Sequence, residues 1–179
     1  MIKSNLGKKA IFTAMLILAA CVSLVTSFVY AENSESPKVW SQDNRYVDNG
    51  NDTITDTKTG LMWMKKDAYQ MKGHLLDWNE SLVFVEMLNG ETFAEHNDWR
   101  VPTRKELVTL YESGKTNGAF VMNVHIDPIF ATNGLASLWS NEPNGRYNAF
   151  GVVFNTGDIF SAPKSAKSKK SVRAVRNAK

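Results

Sequence analysis

Apolar residues crowd the start of the chain. From Ala10 to Tyr30 no charged residue interrupts a run rich in Ala, Leu, Ile and Val, and Lys3, Lys8 and Lys9 precede it. A cationic start, an apolar stretch and the small residue Ala31 make a secretory leader, so residues 1–31 are read as a signal peptide. Two other readings of the same stretch stay open. Leu18-Ala19-Ala20-Cys21 has the form of a bacterial lipobox, which would attach a lipid to Cys21. An apolar run of about 20 residues is also long enough to span a bilayer uncut. Each reading puts the remainder outside the cytoplasm: periplasmic, secreted, or held at the outer membrane as a lipoprotein. Membrane contact then comes only through the leader or a lipid.

Residues 32–38 are a polar linker with little to bury. Residues 39–179 are the size of one ordinary domain. Short alternating segments open it: Arg45 to Val47, the turn cluster Asp48-Asn49-Gly50-Asn51-Asp52, Thr53 to Asp56, and Gly60 to Met64. Asp77 followed by Glu80 makes a capping box, and Trp78, Leu82, Val85 and Leu88 recur at helical spacing before Gly90. A second box, Thr103 with Glu106, opens a helix carrying Leu107, Leu110 and Tyr111 on one face and closing near Gly114. The pattern then returns to strands at Leu138 to Ser140, Ala149 to Phe154, Ile159-Phe160 and Val172 to Arg176. Strands, two helices, then strands predict an α+β fold with short antiparallel sheets.

Charge and cysteine usage narrow the picture. The formal net charge of +3 comes from the leader lysines, because from Glu32 onward 18 basic residues balance 18 acidic ones. After Asp158, however, there are 7 basic residues and no acid, so a neutral total hides an acidic body and a basic tail. Cys21 is the only cysteine, so the domain has no disulfide and no thiol chemistry.

Several segments together resemble the Lcl C-terminal domain family, named for the end module of a bacterial collagen-like adhesin. They are Arg45 to Asp56, Thr59-Gly60-Leu61-Met62-Trp63, Asp98-Trp99-Arg100-Val101-Pro102-Thr103 with Lys105-Glu106-Leu107, Trp139-Ser140, Val153-Phe154 with Gly157, and Val172 to Arg176. The resemblance implies a C-type-lectin-like fold, related to that of formylglycine-generating enzymes. It also implies that Val85 and Ala174 stand where many members carry a cysteine pair. Formylglycine-generating chemistry needs active-site cysteines, which the domain lacks.

The candidate chemistry is sparse. His74, His96 and His125 are isolated and lack metal-ligand spacing. The oxygen-rich stretch from Asp48 to Asp56 fits a tight turn as well as a calcium loop. Glu142 and Asn144 flank Pro143, a tripeptide that in true C-type lectins supplies calcium ligands, yet Glu-Pro-Asn-Gly also fits a turn. They are the candidate metal residues, with calcium the only cofactor considered. Trp63, Trp99 and Trp139 lie in the family segments and are expected in the core, and Arg100 is expected to pair with Glu106. Lys164, Lys167, Lys169 and Lys170, spaced by Ser and Ala, form a cationic stretch that reads either as a solvated loop or as a patch for polyanions. Aromatic residues are not interleaved with these lysines, which argues against a specific nucleic-acid reader.

The expected function is an exported, non-enzymatic binding or adhesion module for an anionic glycan or another envelope polyanion. The alternative is a scaffold component of the cell envelope that binds a protein partner through loops around Trp139 to Tyr147.

Overall fold

Two sheets, antiparallel in all but one of their strand pairings, form because the chain alternates in short steps on either side of its helices. The computed structural model describes residues 38–119 and 122–179, so the leader, Cys21 and nearly all of the linker lie outside the described residues. The described residues fall within one compact unit.

The first sheet is built from β1 (Val39–Trp40), β2 (Tyr46–Asp48), β3 (Thr53–Asp56) and β4 (Leu61–Met64), a meander in chain order, with β11 (Val175–Asn177) closing it beside β4. The turn cluster after Asp48 joins β2 to β3, and Asp52 takes φ 63 there. The second sheet has the order β10-β7-β8-β9, from β7 (Ser137–Asn144), β8 (Asn148–Val153), β9 (Ile159–Pro163) and β10 (Lys170–Ser171). Only the β10–β7 pairing is parallel. A short hairpin, β5 (Asn117–Gly118) with β6 (Asn123–Val124), stands apart.

Three α-helices lie between the two sheets in sequence: α1 (Ala68–Lys72), α2 (Trp78–Gly90) and α3 (Arg104–Leu110), with a single 3-10 turn at Phe93–Glu95. The expected α+β class therefore holds, with one helix more than the pattern predicted. Each α-helix starts on a reciprocal capping box: Asp67 with Gln70, Asp77 with Glu80, and Thr103 with Glu106. Such a box satisfies two of the backbone N–H groups that a helix start leaves without partners. Five residues are too few to show helical periodicity, which is why α1 escaped the pattern. The third helix ends earlier than Gly114 because Tyr111 is extended (ψ 122) and packs edge-on against His125.

Two apolar clusters fill the interior. One gathers Tyr46, Ile54, Trp63, Leu107, Leu110, Phe130, Leu138 and Phe154 between the sheets and α3. The other seats α2 through Phe84, Val85 and Leu88 against Met64, Trp99, Val172 and Ala174. Val85 and Ala174, the positions where the resemblance implies a cysteine pair, share one buried cluster. Trp63, Trp99 and Trp139 are buried as expected. Arg100 and Glu106 form the expected pair, a two-pronged one at 2.5 and 2.8 Å, though it stays partly exposed.

The last segment departs most from the pattern. The single strand expected over Val172 to Arg176 is divided: Lys170–Ser171 joins the second sheet, Val175–Asn177 joins the first, and the buried residues Val172 to Ala174 cross between them. Its peptide groups bond to several elements at once. Ala68 N–H donates to Val172, Met64 N–H donates to Ala174, and Arg100 and Val175 exchange both of their backbone bonds.

Gly151 fixes the centre of the second sheet. It stands opposite Trp139 on β7 and Phe160 on β9, and those two rings meet with centroids 5.2 Å apart. A Cβ at Gly151 would lie 2.3 Å from the Leu138 carbonyl and 2.4 Å from the Phe160 ring. Gly151→Ala should therefore lower stability by about 1–3 kcal/mol, the usual cost of overpacking. Gly90→Ala, at a helical position with open space around it, should be neutral or stabilising. Urea denaturation of the two variants checks the contrast, and equal midpoints would contradict it.

Candidate functional site

The basic segment after β9 does not float free. Lys164 follows the end of β9, where its N–H donates to the Tyr147 carbonyl and its Nζ donates to the Arg146 carbonyl. The same ammonium lies 4.8 Å from the centre of the Trp78 ring, at the start of α2. Lys167 pairs with Glu80 at 2.5 Å, with both side chains in solvent. Lys170 is half-buried on β10 and sits 5.6 Å from the centres of both Trp139 and Phe160. Burial lowers its pKa, and no carboxylate offsets that burial among the causes of the shift. Only Lys169, a non-glycine residue at φ 57, stays exposed with no carboxylate partner among the described residues.

The four lysines therefore divide. Lys164 and Lys167 lie toward the β7–β8 hairpin and the first turn of α2, whereas Lys169 and Lys170 lie beside the start of β7. The folded chain also supplies what the sequence lacked, because Trp78, Trp139 and Phe160 come from distant segments to lie against these lysines. A cation facing an aromatic ring within about 6 Å is attracted by the ring's quadrupole.

Sequence reasoning placed two neighbours of this cluster in the alternative's partner-binding loops and did not join them to the lysines. Arg146 and Tyr147 form the tip of the β7–β8 hairpin after Gly145, which takes φ 69. Tyr147 is 72 % exposed, the most exposed large apolar side chain among the described residues. The Arg146 guanidinium is 5.5 Å from its ring centre. The turn-forming Asn-Gly was the available signal, since a hairpin tip presents its next side chains to water.

Glu142 and Asn144 lie on β7 itself, so the tripeptide is strand and not turn. Both oxygens of the Glu142 carboxylate are engaged, by the Arg104 backbone N–H at 2.9 Å and by Arg104 Nε at 2.5 Å. Asn144 donates to the Ser161 hydroxyl. The charge that a calcium ion would need from Glu142 is already balanced by Arg104, whose guanidinium also stacks 4.0 Å from the Phe150 ring centre. In the Asp48 to Asp56 stretch, Asp48 pairs with Lys65, Asp52 with Lys66, and Asp56 with Arg45. No group of three or more His, Cys, Asp or Glu side chains suited to a metal occurs among the described residues. The three histidines remain apart: His125 contacts the Lys115 carbonyl, His96 the Trp99 ring, and His74 is exposed. Within the stretch from Trp139 to Tyr147, Trp139 and Ser140 are buried on β7, whereas Asn141, Pro143, Asn144 and the hairpin tip are exposed.

A second feature adjoins Lys169. A pocket of about 380 Å³ opens there, walled by Tyr69, Leu75, Met122, Leu135, Val153 and Lys169 among others. Six separate segments contribute, which is why no local pattern announced it.

A family model of the Lcl C-terminal domain matches residues 52–176. That span runs from the β2–β3 turn to the closing strand. The chain belongs to the Lcl C-terminal domain family. Comparison with curated proteins returns no match. In this Lcl C-terminal domain, the matched span contains the hairpin tip, the basic segment and the pocket.

Paired carboxylates shape the electrostatics of the domain, and one of them, Glu80, adjoins the basic segment. Lys115 holds Asp43 well below the usual carboxylate range, Lys167 lowers Glu80, and Arg176 lowers Asp98. A carboxylate with a lower pKa in the folded state contributes stability above its unfolded value, near 4, and loses it as pH falls through the folded value. Melting temperature should therefore drop between about pH 4 and pH 2. The drop should be smaller in 1 M salt, because these groups are largely solvent-exposed and screened. Thermal melts over that range at two salt concentrations check this, and a melting temperature that holds or rises on acidification would contradict it.

Proposed function

We propose that this domain is an exported, non-enzymatic binding module that recognises an anionic glycan or similar envelope polyanion at the β7–β8 hairpin tip and the adjoining basic segment. The observation that carries this reading is the exposed Tyr147 ring flanked by Arg146 and backed by Lys164. A flat ring offers a face for a sugar, and fixed cations nearby attract sulfate or carboxylate groups. The absence of acidic residues after Asp158 supports it, because no carboxylate from the tail itself competes for those cations. The α+β architecture, with two sheets and a capped α2, supports the C-type-lectin-like scaffold that belongs to the same reading.

The groups do not contribute alike. Arg146, Lys164 and Lys169 are available to a polyanion, and Lys167 is available once it releases Glu80. An exposed pair of that kind is worth about 0–1 kcal/mol, so the exchange is easy. Lys170, set against Trp139 and Phe160, belongs to the fold. Retention of the mature domain on immobilised heparin should weaken steeply with added salt, since exposed charges are screened within about 8 Å at physiological ionic strength. Replacing Arg146, Lys164, Lys167 and Lys169 with Ala should remove most retention, and Tyr147→Ala should reduce it further. Neither change should shift thermal stability much, since surface substitutions usually stay within about 0.5 kcal/mol. Arg173→Ala should instead unfold the domain at lower temperature, because that side chain is buried. Elution of the four-alanine variant at the wild-type salt concentration would overturn the proposal.

A further inference from the structure

The pocket beside Lys169 is chemically unlike the hairpin tip. Leu75 comes from the connection between α1 and α2, Met122 from beside the short hairpin, Leu135 from the approach to β7, and Val153 from the end of β8. Tyr69, Ser137 and Asn155 add a few polar atoms to the wall, but these four side chains present hydrocarbon and thioether and make most of it apolar. Sugar hydroxyls placed against them would lose water without gaining partners, which is costly. A volume of about 380 Å³ lies in the range of small-molecule sites and is far too small for a polymer.

One charge marks the wall. Lys169 is the only ionised side chain lining the pocket, and it has no carboxylate partner among the described residues. Nearby carboxylates are committed elsewhere: Glu80 to Lys167, and Asp67 to the N–H groups of Gln70 and Leu135. Gly134 allows that last commitment, since a Cβ there would lie 2.6 Å from the Asp67 carboxylate. The pocket thus combines an apolar interior with an uncompensated cation.

We propose that this pocket binds a small amphiphilic anion, a carboxylate carried on an acyl chain, with its chain against Leu75, Met122, Leu135 and Val153 and its carboxylate toward Lys169. This site shares Lys169 with the basic segment of the proposed glycan site, but its apolar wall is absent from that site, and either proposal can stand without the other. Apolar burial supplies the affinity, and the lysine selects the sign of the head group.

Decanoate and decyltrimethylammonium carry the same tail with opposite heads, so isothermal titration of the mature domain with each, below micelle-forming concentrations, tests the assignment. Decanoate should bind saturably and decyltrimethylammonium much more weakly. Lys169→Ala should weaken decanoate about fivefold, the upper end of what an exposed ion pair supplies. It should leave the cationic amphiphile unchanged or slightly improved. Met122→Trp should fill the pocket and abolish decanoate binding, and Leu75→Trp, from the opposite side, does the same should the first variant fold poorly. Heparin retention of either tryptophan variant should match wild type, which separates this site from the glycan site. No saturable binding of decanoate, equal affinity for the two amphiphiles, or binding that survives a folded tryptophan variant would each overturn the assignment.

Discussion

A peptide group taken out of water must find a hydrogen-bond partner, and the stretch from Val172 to Arg176 lies wholly out of water. Satisfying it ties the molecule together. Its backbone bonds reach β4, the first turn of α1 and Arg100, and its flanking residues complete one sheet each. Arg173 sits at the middle of this crossing. Its guanidinium donates to the carbonyls of Met64 and Lys65 and lies 4.9 Å from the Phe130 ring centre. Burial pulls its pKa down to about 10, partly opposed by Asp67, which still leaves it protonated at neutral pH. An arginine suits this place better than a lysine, because its planar, weakly hydrated group can lie over a ring and reach two carbonyls together.

The same crossing positions the surface proposed for binding. Because β10 is held parallel to β7 immediately before it, the basic segment is pinned at Lys170 and at the end of β9. Between those anchors it runs past the first turn of α2, where Trp78 receives Lys164 and Glu80 receives Lys167. The pinned segment thereby presents one end to the Tyr147 tip and the other to the apolar pocket. Gly151 contributes from beneath, since the close Trp139–Phe160 contact it permits is the platform on which Lys170 rests.

Local chemistry was legible in the sequence where it is determined by neighbours along the chain. The Asp77–Glu80 and Thr103–Glu106 boxes located two helix starts, and alternation located β2, β3, β4 and β8 to within a residue or two. What depends on distant partners was not legible. Val172 to Ala174 look like strand by composition, yet buried crossing residues have no solvent face and hence no alternation to distinguish sheet from bridge. The lysines read as mobile because Ser and Ala separate them, while the rings that hold two of them come from α2, β7 and β9. Glu142 read as a metal-ligand candidate because its Arg104 partner lies 38 residues away. Arg146 and Tyr147 carried a signal, the Asn-Gly turn before them, that was read only as geometry.

The distance along the chain between the crossing segment and the strands it seals also has a temporal meaning. A ribosome makes residues in order, and a chain threaded through a narrow channel emerges in order as well. The strands near Tyr46 and Trp63 appear well before the residues that seal them to the rest, Ser171 to Asn177. Contacts so remote in sequence form slowly and cannot be replaced by local ones. The first sheet must therefore wait, incomplete along β4, until Val175 to Asn177 have been made, so its fifth strand joins only after the helices and the β7–β8 hairpin have appeared.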